Sequence, residues 1–129
     1  MTIQILEFRG VVEVKELDVE YTVIEVPELN YPYHVEGFID LSSLTDNDTI
    51  EICEYVAVDG KNQRKVYCDV YSGTQTYPIL HFRPILVPKD GKYKVTIKQT
   101  AGSPKSFPYW FYVNYPNNVI LIYLVRRWI

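Results

Sequence analysis

His34 and His81 are the only histidines of this 129-residue chain, and metal or acid–base chemistry would have to start from them. Glu36 lies two residues from His34 and shares its face if that stretch is a strand, while Asp69 is a candidate neighbour for His81. A metal centre needs three or four converging ligands, and two histidines on separate strands without a helical or short-loop pairing do not supply them. Their expected role is structural or at the surface. Cys53 and Cys68 are the only thiols. A nucleophilic cysteine needs a histidine within hydrogen-bond reach and an electropositive setting, whereas Cys68 alternates with apolar neighbours like a core residue. The stretch Ala101-Gly102-Ser103-Pro104-Lys105-Ser106 ends like a phosphate loop, but it lacks the first glycine, has proline before lysine, and runs into Phe107-Pro108 rather than a helix. No catalytic residue, metal ligand or cofactor is assigned on this reading, and the chain is expected not to be an enzyme.

The remaining chemistry is aromatic. Twelve tyrosines, two tryptophans and five phenylalanines make up 15% of the chain, with Tyr109, Trp110, Phe111, Tyr112, Tyr115, Tyr123 and Trp128 concentrated near the C-terminus. Flat rings with polar tips suit either a sugar-stacking platform or a protein interface. On a strand they divide between two faces, so half belong to the core. The outward half favours an interface, with Trp110, Tyr112, Tyr123 and Trp128 as the candidates.

The elements that must position these rings are strands. From Thr49 to Tyr71, Ile50, Ile52, Val56 and Val58 alternate with Glu51, Cys53, Tyr55 and Ala57, a turn falls at Asp59-Gly60-Lys61-Asn62, and Val66, Cys68 and Val70 resume the pattern. This predicts a β-hairpin. An odd-length loop, Asp59 to Lys61 or Asp59 to Gln63, keeps all the even apolar positions on one face, with Gly60 at positive φ. Cys53 and Cys68 then fall on opposite faces, which predicts two free thiols and fits a reducing compartment.

Before the hairpin, Ile3 to Phe8, Val11 to Lys15, Val19 to Val26 and Tyr33 to Leu41 read as strands, with a break at Arg9-Gly10 and a crossover loop around Pro27 and Pro32. Ser42 to Asp48 is a polar connection. After it, Ile79 to Val87, flanked by Pro78 and Pro88 and interrupted by Pro84, reads as an edge or bulged strand. Lys89-Asp90-Gly91-Lys92 reads as a second hairpin turn. Tyr93, Val95 and Ile97 face inward against Lys94, Thr96 and Lys98, Phe107 to Tyr115 is aromatic on both faces, and Val119 to Val125 is apolar throughout. Nine or ten short strands without a helical period predict an all-β, single-domain antiparallel sandwich over residues 1–129, jelly-roll-like or Ig-like. The expected core is Ile50, Ile52, Val56, Val58, Val66, Cys68, Val70, Tyr93, Val95, Ile97, Phe111, Leu121 and Ile122.

Composition narrows the function. A chain with 47% hydrophobic and 22% charged residues is an ordinary globular one, and its net charge of −3 gives no general attraction to nucleic acid or an anionic membrane. Val119 to Val125 is far short of the roughly 20 apolar residues of a membrane helix, and Met1-Thr2-Ile3-Gln4 does not open a secretion signal. The expected location on these features is the cytoplasm.

Asp40 to Val58, the turn through Tyr67, and Lys94 to Tyr109 (Thr96-Ile97-Lys98-Gln99-Thr100-Ala101-Gly102, then Lys105-Ser106-Phe107-Pro108-Tyr109) resemble short uncharacterised β-rich proteins of archaeal and archaeal-virus genomes, over roughly residues 38–112. The resemblance implies a β-sandwich with a virion-like or assembly role. The expected function is thus a non-enzymatic structural or assembly protein, in its sharper form a capsid, decoration or spike subunit, whose partners are copies of itself or other assembly subunits. The alternative is a carbohydrate-binding or adhesive module that takes a glycan.

Overall fold

The computed structural model describes residues 3–116, and all its regular elements are strands: β1 (Ile3–Glu13), β2 (Glu20–Val26), β3 (Tyr33–Asp40), β4 (Thr49–Ala57), β5 (Arg64–Ser72), β6 (Ile79–Val87), β7 (Lys92–Ala101) and β8 (Ser106–Pro116). They form two four-stranded antiparallel sheets, a front sheet ordered β1-β8-β3-β6 and a back sheet ordered β2-β7-β4-β5. The connection from β4 to β5 stays within one sheet, and the others between described strands cross from one sheet to the other. This strand order is that of an eight-stranded jelly roll.

Eight described strands replace the nine or ten expected. Ile3 to Lys15 does not break at Arg9-Gly10; β1 runs through it, paired with β8 from Ile3 to Glu13. A Cβ on Gly10 would meet the Tyr109 hydroxyl at 2.9 Å, so the glycine lets that side chain lie close against β1 rather than ending the strand. Val119 to Val125, and with it Leu121, Ile122, Tyr123 and Trp128, lies outside the described residues. The turn at Lys89–Lys92 is not a hairpin either, because β6 and β7 belong to different sheets and the turn carries the chain across the sandwich.

Inward-facing residues of both sheets fill the core. Ile50, Ile52 and Val56 of β4, Tyr93, Val95 and Ile97 of β7, and Phe107, Phe111 and Val113 of β8 are buried, together with Tyr33, Val35 and Ile39 of β3 and Phe82 and Val87 of β6. The Ser42–Asp48 crossover is fixed by Asp48, whose carboxylate accepts from the Thr45 amide (2.8 Å) and hydroxyl (2.9 Å) and pairs with Lys105 Nζ at 2.9 Å. Burial alone would raise the Asp48 pKa, but the Thr45 hydrogen bonds and the Lys105 ammonium hold it below the ordinary carboxylate value.

The central hairpin corrects the expected register. Near the turn, Val56 pairs with Arg64 and Tyr55 with Lys65, in the same-parity register that the alternation predicts. A bulge then inserts Val66 opposite the Glu54–Tyr55 step, and the remaining pairs, Glu54–Tyr67, Cys53–Cys68, Ile52–Asp69 and Ile50–Tyr71, join odd to even positions. One extra residue turns the rest of β5 over. Tyr67, Asp69 and Tyr71 take the inner face. Val66 and Val70 point outward and are 48% and 63% exposed, Cys68 is half-buried, and Val58, in the loop, is 74% exposed. The connection runs from Val58 to Gln63 rather than over three or five residues. Its Asp59 carboxylate accepts from the amides of Lys61 and Asn62, and Gly60 takes the expected positive φ of 75°.

The two cysteines, expected to be free and on opposite faces, are instead directly paired across β4 and β5 and joined in a disulfide, with a Cα–Cα separation of 4.1 Å. The bulge is the reason, since it brings both side chains to the outer face.

Candidate functional site

β8 lies at the centre of the front sheet between β1 and β3, so its outward residues sit in the middle of a face. Phe107, Phe111 and Val113 point into the core, and the alternate residues Trp110 and Tyr112 point out. Register sets their neighbours: Trp110 lies opposite Phe38 of β3 and Arg9 of β1, Phe38 lies opposite His81 of β6, and Tyr112 lies between Glu36 and Glu7.

These side chains interlock. The Phe38 and His81 rings stack with centroids 5.0 Å apart and planes 26° from parallel, Phe38 stacks on Trp110 at 6.3 Å and 20°, and Trp110 meets Tyr112 at 5.2 Å. At 5.0 Å, Phe38 and His81 are too close to lie edge to edge in one plane, so their faces overlap. Beside the rings, Glu36 Oε2 lies 2.7 Å from His81 Nε2, and Glu36 Oε1 accepts the Tyr112 hydroxyl. Those two bonds, that from Tyr112 foremost, hold the Glu36 pKa below its ordinary value, and the carboxylate in turn raises that of Tyr112. A shallow depression of about 330 Å³ lies alongside, lined by Phe38, Trp110, Pro108, Arg9 and Asp40.

Aliphatic residues lie on the same face, among charged ones such as Glu7, Arg9 and Asp40. Ile5 and Val11 of β1, Ile79 and Leu86 of β6 and Phe38 of β3 are all exposed large apolar residues on the outer face of the front sheet. The outer face of the back sheet contrasts with it. There Glu20 accepts from Tyr55 and Thr96, Lys94 sits 4.7 Å from the centroid of the Tyr55 ring, and Lys98 pairs with Glu51 at 3.8 Å. The front face is the richer in exposed rings and hydrocarbon, although Glu7, Arg9 and Asp40 also lie on it and Val66 and Val70 are exposed on the outer face of the back sheet.

Of the candidates read from sequence, Trp110 and Tyr112 occupy this patch side by side, and Tyr123 and Trp128 lie outside the described residues. His34 and Glu36 share the outer face, yet Glu36 pairs with His81 and Tyr112 rather than completing a ligand set. Asp69 and His81 line a common groove between β5 and β6. Glu51, Cys53 and Cys68 bring potential ligand atoms within 4.8 Å of one another, but both sulfurs are joined in the disulfide and have no thiolate to donate. Sequence reasoning missed Phe38 and His81 as parts of the aromatic patch. Alternation along β3 was enough to turn Phe38 outward, whereas its adjacency to Trp110 depends on a strand order that spacing does not encode.

No protein-family model and no curated protein matches the chain. Among solved structures, it is similar to a protein of Bacillus endospore appendages, which are disulfide-linked pili, with a TM-score of 0.55 and 14% identity over 92% of this chain and 93% of the other. It is also similar to VP2 of infectious bursal disease virus. The match to a T=1 particle derived from that virus has a TM-score of 0.54 and 12% identity over 88% of this chain, and that to the Gx strain a TM-score of 0.54 and 11% identity over 92%. The chain spans about a third of the length of those viral chains. At these identities the likeness is one of fold.

Proposed function

We propose that this protein is a non-enzymatic structural subunit that assembles with copies of itself through the outer face of the front sheet. The observation that carries this reading is the asymmetry between the two outer faces. The front sheet exposes Ile5, Val11, Phe38, Ile79 and Leu86 on the same face as Trp110, more apolar surface than the back sheet, whose described strands expose outward only Val66 and Val70 of the edge strand β5 among large apolar residues. An aromatic centre with aliphatic and polar residues around it is how interfaces are built, and the Glu36–His81–Tyr112 bonds fix the rings before association and so lessen the ordering cost of binding. The similarity in fold to a viral capsid protein and to a pilus protein supports an assembly role, and the finer form of the proposal is a subunit of a virion coat or a surface appendage. A sugar platform on this face has less support, because Phe38 is stacked between His81 on one side and Trp110 on the other.

Light scattering over a range of concentrations tests the proposal. The parent is expected to exceed the 15.1 kDa of one chain increasingly with concentration. Trp110→Glu and Phe38→Glu should each return it to the monomer, since truncating a ring at an interface centre costs about 2 kcal/mol or more and a buried charge adds to that. A parent that stays monomeric at millimolar concentration overturns the reading.

A further inference from the structure

On the side of the sandwich formed by β5 and β6, the edge strands of opposite sheets, the two layers leave a groove of about 410 Å³. That is within the range of small-molecule sites, roughly 300–1,000 Å³. Its walls follow from the register already described. The bulge at Val66 turns Tyr67, Asp69 and Tyr71 inward on β5, and on β6 the residues facing them are Leu80 and Ile85, with Arg83 also lining the groove. Glu54 also lines it. The residue is 4% exposed, and its carboxylate Oε2 accepts the hydroxyl of the fully buried Tyr93 at 2.5 Å. Among the described residues no cation pairs with Glu54. A carboxyl buried without one costs stability that an apolar side chain would not.

We propose that this groove is a binding site for a neutral saccharide, with Glu54 as the hydrogen-bonding group at its floor and the Tyr67 and Tyr71 rings as its stacking wall. Three features select that ligand class. The charges of Asp69 and Arg83 on its walls are opposite and offset each other, so apart from the carboxyl of Glu54 and the Glu36-paired His81 the lining offers no excess charge to favour an ion. The tyrosine rings suit the apolar face of a pyranose, opposite the aliphatic wall of Leu80 and Ile85. Burial raises the pKa of Glu54, so its carboxyl holds a proton more readily than an exposed one and can donate to or accept from a sugar hydroxyl. The groove borders the proposed assembly face at His81, but Glu54, Tyr67 and Tyr71 lie off that face, and neither reading depends on the other.

The test is ligand-observed NMR on the intact protein with maltotriose, cellotriose and N-acetylchitotriose at millimolar concentration, and with n-butylammonium as a cationic probe. At least one saccharide is expected to bind. Tyr67→Ala should weaken it about tenfold or more, the scale expected for losing one stacking ring. Glu54→Leu should abolish binding, and Trp110→Ala should leave it intact. Tyr67 is a partly exposed residue of an edge strand, so its variant reports on binding even if Glu54→Leu fails to fold. The proposal is overturned if no saccharide binds, if only n-butylammonium binds, or if binding is lost in Trp110→Ala and kept in Tyr67→Ala.

Discussion

Reducing the Cys53–Cys68 disulfide should weaken the fold by up to about 3 kcal/mol at 25 °C, the chain-entropy value for a closed loop of about 15 residues. The two cysteines are separated by 15 positions in sequence. That figure is a ceiling, because the loop is a hairpin whose unfolded chain already retains some local order. With a urea dependence of about 1–3 kcal/mol per molar for a small domain, the midpoint should fall by roughly 1–3 M between the oxidised and reduced forms, with little change in slope. The Cys53→Ala/Cys68→Ala variant should behave like the reduced protein, which separates loss of the cross-link from any effect of the reductant. Intact mass provides the covalent check: the unreduced protein should weigh two hydrogens less than the reduced one and take up no alkylating reagent when unfolded. Two alkylated thiols that persist after mild oxidation of the folded protein would refute the bulged register at Val66, since with no bulge between the turn and Cys53 the sulfurs point to opposite faces.

The same register divides the valines. Val95→Ala and Ile97→Ala should each destabilise by about 1–4 kcal/mol in denaturant unfolding, whereas Val66→Ala and Val70→Ala, on the outer face of an edge strand, should change stability by about 0.5 kcal/mol or less. Two buried carboxyls should give stability opposite pH dependences. The Asp48 pKa is lowered in the fold, so its contribution is present at neutral pH and is lost as pH falls below the ordinary 3.8, and Asp48→Asn should flatten the acid limb of a stability–pH curve. The Glu54 pKa is raised, so its contribution is full below the ordinary 4.5 and is lost as pH rises through the folded value; Glu54→Gln should remove that loss. Thermal melts from pH 3 to 8 would show either slope unchanged if the corresponding assignment is wrong.

Much of the fold was legible in the sequence because period-two alternation survives wherever one face is buried. Tyr93, Val95 and Ile97 are inward as the pattern required, β6 is an edge strand with a bulge beside Pro84, and β8 divides its rings between core and surface. Alternation fails where a residue is added without breaking the pattern. Val66 looks like any other strand valine, yet it is the bulge that reverses the facing of Cys68 and Val70 and so determines both the disulfide and the lining of the β5–β6 groove. Strand order was the other gap. Trp110 could be read as outward-facing, but its stacking with Phe38 joins positions more than seventy residues apart through pairing of β8 with β3, and local sequence holds no record of that pairing. Glu54 was hidden for a related reason: its place under Tyr93 at the floor of a groove comes from the packing of one sheet against the other.

Hydroxyl-radical footprinting of the associated and the dilute protein, read residue by residue by mass spectrometry, tests most directly whether the front sheet is the assembly face. Association is predicted to protect Trp110, Phe38, His81 and Leu86 while leaving Val66 and Val70 on the back sheet as reactive as in the monomer. Protection of Val66 and Val70 with no change at Trp110 and Phe38 would contradict it.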